Sequence, residues 1–326
     1  MSRDRRHLYV DLVAVWLAVV LLSVKVGTCG ISSFGAWQEL SAPRLVMSML
    51  AGAALATAGA MFQALFRNPL ASPYTLGVSS GASLAAATAI TICGAGLWHG
   101  IPVVSLAAFG GAVVCVVIVY VVAHLRQGRS IGTLLLAGIT IGFICSALIV
   151  MLLFLAREHD LRHILQWMMG SVEIVGFDPV CESAAIVALA AGVAIYLHRD
   201  LDLLMMGETV AASHGVCVKR SQRLIYLSAS LLTAGVVAHC GPIGFVGLIV
   251  PHIMRFFAGP VHRRLLPACM LAGAAFLPLC DLLARNAMWW LREESRQIPV
   301  GVLTNLLGGC FFLYLLLIRR HDQAMI

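Results

Sequence analysis

Ten mostly apolar stretches, set apart by charges, prolines and glycines, fill most of this 326-residue chain. They lie near 8–26, 45–66, 76–92, 102–125, 131–156, 179–197, 224–239, 243–257, 267–283 and 300–318. A helix needs about 20 apolar residues to cross a bilayer, so the pattern predicts an all-α polytopic membrane protein of about ten spans. Composition agrees, because 60% of residues are hydrophobic and only 11% are charged, whereas a soluble domain carries about 25% charged residues. The stretch at 243–257 is the weakest. It is short, and Gly244, Gly247 and Pro251 interrupt it, which leaves a half-helix or re-entrant element open.

A net charge of +7 with a pI near 9.0 does not point to nucleic acid. The basic residues come in ones to threes between apolar runs rather than as an exposed patch. They orient the chain instead. Ten crossings put both termini on one side, and 15 of the 22 Lys and Arg fall there. The other side holds Lys25, Arg44, Arg157, Arg162, Arg285, Arg292 and Arg296. By the positive-inside bias the termini are expected to be cytoplasmic. No Ala-x-Ala site precedes Gly27, so the first stretch reads as a retained helix. Residues 1–326 read as a single transmembrane domain. An amphipathic helix near 161–170 is expected on the outer surface, and the segment 198–223 is the one long inner connection.

Several chemistries lack their residues. A phosphate-binding loop needs Gly-Lys followed by Ser or Thr, but the only lysines, Lys25 and Lys219, each follow Val. This polypeptide is therefore expected to hydrolyse no nucleotide and to hold no catalytic site. The ten cysteines are never closer than 11 residues and read as small packing residues. His159 and His163 stand at i, i+4, but no third ligand accompanies them at suitable spacing, and a solvated helical face is the better reading. No metal site is expected. Asp281 and Arg285 are one helical turn apart near the end of the ninth stretch, which allows a structural ion pair or a role toward substrate.

The run from Gly52 to Ser83 carries the most information. Its small residues let helices approach closely, and Asn68-Pro69 and Ser72-Pro73 then break the helix, since each Pro lacks an N–H and restricts the residue before it. Arg67-Asn68-Pro69-Leu70-Ala71-Ser72-Pro73, with Leu76-Gly77-Val78-Ser79-Ser80-Gly81-Ala82, resembles the signature of FecCD-type permeases. These are membrane subunits of the type II ATP-binding-cassette (ABC) importers for ferric siderophores, haem and vitamin B12. Trp167-Met168-Met169-Gly170-Ser171, the segment Gly241 to His252, and Ile298-Pro299-Val300-Gly301-Val302 resemble further family segments.

The resemblance implies roles for particular residues. Gly207-Glu208, Ala211 and Gly215 match the coupling helix that seats in the ATPase, and an acid at a helix start suits the helix dipole. His214 departs from the usual Leu there. The resemblance puts the cytoplasmic constriction at Asn68, Pro69 and Leu70, with Ile131 and Gly132 nearby. Arg44 and Arg285 become candidates for docking glutamates of a periplasmic binding protein, a task that suits the rigid guanidinium fork. Gln297 and Cys310 depart from an acid and a Pro. Implied partners are a second permease copy, identical or similar, two cytoplasmic ABC ATPases, the binding protein and the bilayer, without nucleic acid. The chain itself would bind no cofactor, with ATP and magnesium held by the ATPases, and would reside in a bacterial inner membrane. The expected cargo is a ferric siderophore, with haem and vitamin B12 as alternatives. An ion-coupled secondary transporter or channel is the competing class, against which stands the lack of a central acidic relay.

Overall fold

The computed structural model describes residues 3–27, 35, 37–93, 97–98, 101–125, 131–292 and 297–323. Thirteen helices succeed one another among the described residues: α1 (Arg3–Gly27), α2 (Ala42–Leu65), α3 (Val78–Cys93), α4 (Val103–Leu125), α5 (Ile131–Leu155), α6 (Glu158–Met168), α7 (Asp178–Tyr196), α8 (His198–Met206), α9 (Glu208–Ser213), α10 (Val218–Cys240), α11 (Val246–Ala258), α12 (His262–Arg292) and α13 (Val300–Gln323). A π-helical turn, Trp37–Ser41, leads into α2, and a 3-10 turn, Pro73–Leu76, leads into α3. Between α3 and α4 lies a two-residue antiparallel pairing, β1 (Leu97–Trp98) with β2 (Ile101–Pro102), in which Leu97 faces Pro102.

Among the described residues seven helices are long and apolar enough to cross a membrane, and α3, α11 and α13 supply shorter apolar segments. These ten coincide with the ten stretches expected. Their ends differ where charge misleads a hydropathy reading. α10 starts at Val218 rather than near 224, because Lys219, Arg220 and Arg223 sit on helical turns that run past the apolar part. α12 likewise begins at His262 and reaches Arg292, carrying Pro267 and Pro278 inside it. α11 has only 13 residues and contains Pro251, giving a length of about 20 Å against a hydrocarbon thickness of about 30 Å. Of the charges used for orientation, Arg126, Arg129 and Arg296 lie outside the described residues.

α2 is the centre of the molecule. Its residues from Ala54 to Leu65 are all buried, which its run of Ala, Gly, Met and Thr permits by presenting little bulk on any side. A Cβ added at Gly52 would collide with the Gly273 carbonyl of α12, and one at Gly59 with the Gly247 carbonyl of α11. Such backbone contact replaces the hydrophobic drive that lipid does not supply between helices. A second glycine-mediated group joins α3, α4 and α5. Gly81 meets Gly111, and Gly138 leaves no room for a side chain beside Leu76.

α10 bridges the two groups by side chains. Fully buried Tyr226 donates its hydroxyl to the Val116 carbonyl of α4 at 3.2 Å, and its ring lies 6.3 Å from Phe62 of α2 and 6.2 Å from Tyr120 of α4. Arg44 begins α2 and Arg67 follows its end. They mark two ends of the bundle about 34 Å apart: one carries α6, the other α8 and α9.

Candidate functional site

At the α9 end, α2 stops abruptly. Phe66 and Asn68 still donate backward to the Phe62 and Gln63 carbonyls at 2.9 and 3.1 Å, while Arg67 takes a left-handed φ of 49°. Asn68 then organises the turn. Its Oδ1 accepts the Leu70 N–H at 2.9 Å, and its carbonyl accepts the Ala71 N–H at 3.1 Å, the local bonding that makes Asn a turn former. Ser72 and Thr75 close a reciprocal cap over the 3-10 turn, and Gly77, at φ 75°, releases the chain into α3. Leu70 is left 57% exposed at the tip. Ile131 and Gly132 begin α5. That helix meets this region through Gly138 against Leu76, and Leu134 shares a cavity with Leu65 at the foot of α2.

The segment 198–223 folds into α8, α9 and the first turns of α10. Gly207 at φ 127° and Gly215 at φ 82° bracket α9, and a Cβ at either would meet nothing within 4 Å. Conformation, not crowding, therefore requires glycine at both. Ala211 is fully buried beneath the helix. His214 donates from Nδ1 to the Val210 carbonyl at 2.9 Å, so it tidies the end of its own helix.

Four polar links hold this unit together and tie it to the bundle. Ser221 donates to Asp200 in a short hydrogen bond. Asp202 receives the His262 N–H at 2.8 Å and lies 2.6 Å from its Nδ1. Gln222 donates to Glu208 Oε1 at 3.1 Å. Glu208 Oε1 also lies 3.7 Å from Arg67 Nη2. The acid that opens α9 thus touches the residue just before Asn68-Pro69-Leu70.

At the α6 end, three segments quoted from the sequence converge. Ser171 N–H donates to the Cys240 carbonyl at 2.8 Å and Gly301 N–H to the Gly170 carbonyl at 3.1 Å. Gly170, at φ 72°, abuts the Pro242 carbonyl, Gly241 abuts the Trp167 carbonyl, and Gly301 abuts the Met169 carbonyl. Beside this knot lies an ion cluster. Arg44 grips Asp281 with Nη2 at 2.8 Å and Nε at 3.1 Å, donates Nη1 to Gln297 Oε1 at 2.8 Å, and stands 3.5 Å from Glu173. Arg285 Nε lies 3.1 Å from Asp281 Oδ2. Asp281 is only 2% exposed, so two guanidinium groups are drawn inward onto one buried carboxylate. The i, i+4 pair is present, with Arg44 as a further partner that spacing along one helix does not reveal.

Sequence similarity decides the family. Residues 12–318 match the FecCD transport family. The chain belongs to the FecCD transport family. The vitamin B12 import system permease protein of Klebsiella pneumoniae subsp. pneumoniae is 35% identical over 327 residues, covering 98% of this chain and 95% of that protein. The hemin transport system permease protein of Yersinia pestis is 34% identical over 293 residues, covering 88% and 85%. A solved metal-chelate type ABC transporter in an inward-facing conformation superposes with a TM-score of 0.82 at 28% identity, covering 94% of this chain and 98% of that one. As a FecCD protein the chain is a multi-pass membrane permease.

Sequence reasoning missed the cross-links rather than the segments. Nothing local in Glu208 announces Arg67, and nothing in Asp202 announces His262. On α6, His159 and His163 bring their Nε2 atoms to 3.3 Å, but among the described residues no three His, Cys, Asp or Glu side chains group as a metal site.

Proposed function

We propose that this chain is the membrane permease subunit of an ABC importer for a large metal chelate, of the ferric siderophore, haem or corrinoid class. The observation that carries the reading is the link from α9 through Glu208 to Arg67 and the Asn68-Pro69-Leu70 turn. A helix seated on an ATPase would have in Glu208 a direct handle on a break in α2, and broken backbone at membrane depth is tolerated only against protein or a water-filled pathway. The named relatives import vitamin B12 and transport haem, which widens the expected siderophore to the class of large chelates. In this reading α9 faces the cytoplasm of a bacterial inner membrane and α6 the outside.

Gly207, Glu208, Ala211 and Gly215 form the contact with one of two ATPases, which hold ATP and magnesium. Asn68, Pro69 and Leu70, with Ile131 and Gly132, form the inner constriction of a pathway shared with a second permease copy. Arg44 and Arg285 receive the binding protein. Because both already share Asp281, an incoming carboxylate would bind by displacing part of an existing ion pair, favouring a reversible contact over a permanent one.

The test is uptake of chelate into proteoliposomes containing this chain, its ATPase and its binding protein. Uptake is expected only with ATP inside and cargo-loaded binding protein outside. Uptake driven by a proton or sodium gradient without ATPase would refute the proposal in favour of a secondary transporter.

A further inference from the structure

Beside α9 the bundle opens into a cavity of about 660 Å³, within the range of small-molecule sites. Its floor is apolar: Leu65 of α2, Tyr120 and Ala123 of α4, Leu134 of α5 and Tyr226 of α10. Its rim is cationic, formed by Lys219, Arg220 and Arg223, which pair with no acid among the described residues. The one lining carboxylate, Glu208, is already engaged by Arg67 and Gln222. At the same rim α10 begins. Its N-cap, Cys217, makes no side-chain capping bond, and Cys217 and Val218 both line the cavity. The first N–H groups of a helix have no partner within it and carry the positive end of its dipole.

Depth fixes the ligand. α10 is long and apolar enough to span the membrane, so cations on its first two turns stand at headgroup level while the floor between α4, α5 and α10 reaches toward hydrocarbon. We infer that this cavity binds an anionic phospholipid, its phosphate held by Lys219, Arg220, Arg223 and the open start of α10, and its glycerol and acyl segments laid over Tyr120 and Leu134. Basic pockets between membrane helices take anionic headgroups by the same combination. An acidic protein surface would satisfy the rim but leave the apolar floor empty. The inference does not depend on which cargo is carried. It places a lipid against the side of the α8–α9 unit that holds Glu208.

The test is native mass spectrometry of the detergent-purified full chain titrated with phosphatidylglycerol or phosphatidylethanolamine. Phosphatidylglycerol is expected to bind preferentially. Each surface cation contributes about fivefold to anionic lipid affinity, so Lys219→Ala with Arg220→Ala and Arg223→Ala should weaken retention about a hundredfold. The charge-keeping set Lys219→Arg, Arg220→Lys and Arg223→Lys should retain it, which separates charge from folding. Inorganic phosphate at millimolar concentration should displace little lipid, since it cannot use the floor. Displacement at that concentration would overturn the lipid assignment in favour of a free-anion site. Equal retention of the two lipids, or unchanged retention by the Ala set, would overturn the inference outright. Loss of ATPase co-purification by the Ala set with lipid retention unchanged would overturn it in favour of a protein contact.

Discussion

Replacing Asp281 by Asn keeps the volume and one acceptor of the side chain but removes the charge that Arg44 and Arg285 share. Asp281 is 2% exposed, and the two arginine side chains are 11% and 18% exposed, so little water is at hand to replace the carboxylate. Removing one partner of a buried ion pair costs about 3 to 5 kcal/mol. One hydrogen bond of about 1 kcal/mol survives to the Asn oxygen. Glu173, 47% exposed and 3.5 Å from Arg44, adds about 1 kcal/mol at most. The expected loss is therefore about 1 to 4 kcal/mol, read as a shift in the unfolding midpoint of the full chain in mixed micelles of increasing SDS content, followed by circular dichroism. Arg44→Gln should cost less, because Arg285 still faces Asp281, and the double variant should show a coupling of about 0.5 to 3 kcal/mol. A shift below about 0.5 kcal/mol for Asp281→Asn, or strict additivity with Arg44→Gln, would show that the cluster is not the stabilising unit its geometry indicates.

Other perturbations separate packing, conformation and coupling. Gly59→Ala should sharply reduce the yield of folded protein, since its methyl would overlap the Gly247 carbonyl, whereas Gly192→Ala, with open space around it, should be neutral or slightly stabilising by thermal melting in detergent. Gly207→Ala meets no neighbour but must hold φ 127°, so about 1 to 2 kcal/mol of local strain should loosen α9, visible as faster hydrogen exchange over 207–215 with the core unchanged. Glu208→Gln should change stability by less than about 0.5 kcal/mol, as befits a pair of side chains 43% and 41% exposed. Its stimulation of the partner ATPase by loaded binding protein should nevertheless fall. An unchanged stimulation would disconnect Glu208 from coupling.

What the sequence made legible were features with local causes. The breaks at Asn68-Pro69 and Ser72-Pro73, and the glycines at 207 and 215, follow from backbone restrictions that a few neighbouring residues express. The apolar stretches followed from the bilayer alone. Helix ends were less legible, because the first turns of α10 are charged yet helical, and apolarity stops before the helix does. Least legible were the polar links. Arg44 and Asp281 are 237 residues apart, and His262 and Asp202 are 60 apart. No period or spacing encodes such pairs, since only the closure of the bundle brings them together. Docking and constriction residues were named through resemblance, and the fold adds what Arg44, Arg285 and Asn68 touch.

The glycine contacts of α2 have a mechanical consequence. Where side chains interdigitate, a slide of one helix past another can be absorbed by rotamer changes. Where a carbonyl fills the space of a missing Cβ, as at Gly52 with Gly273 and Gly59 with Gly247, there is nothing to rearrange. α2, α11 and α12 are thus welded into one block, and α3, α4 and α5 into another by Gly81, Gly111 and Gly138. The blocks are joined through α10, whose Tyr226 ring sits between Phe62 and Tyr120 and whose hydroxyl donates to the Val116 carbonyl, and through the covalent strap from Arg67 to Gly77. Rocking between states is then expected to divide along that seam. Cross-links across it should arrest transport, while cross-links within either block should leave transport running.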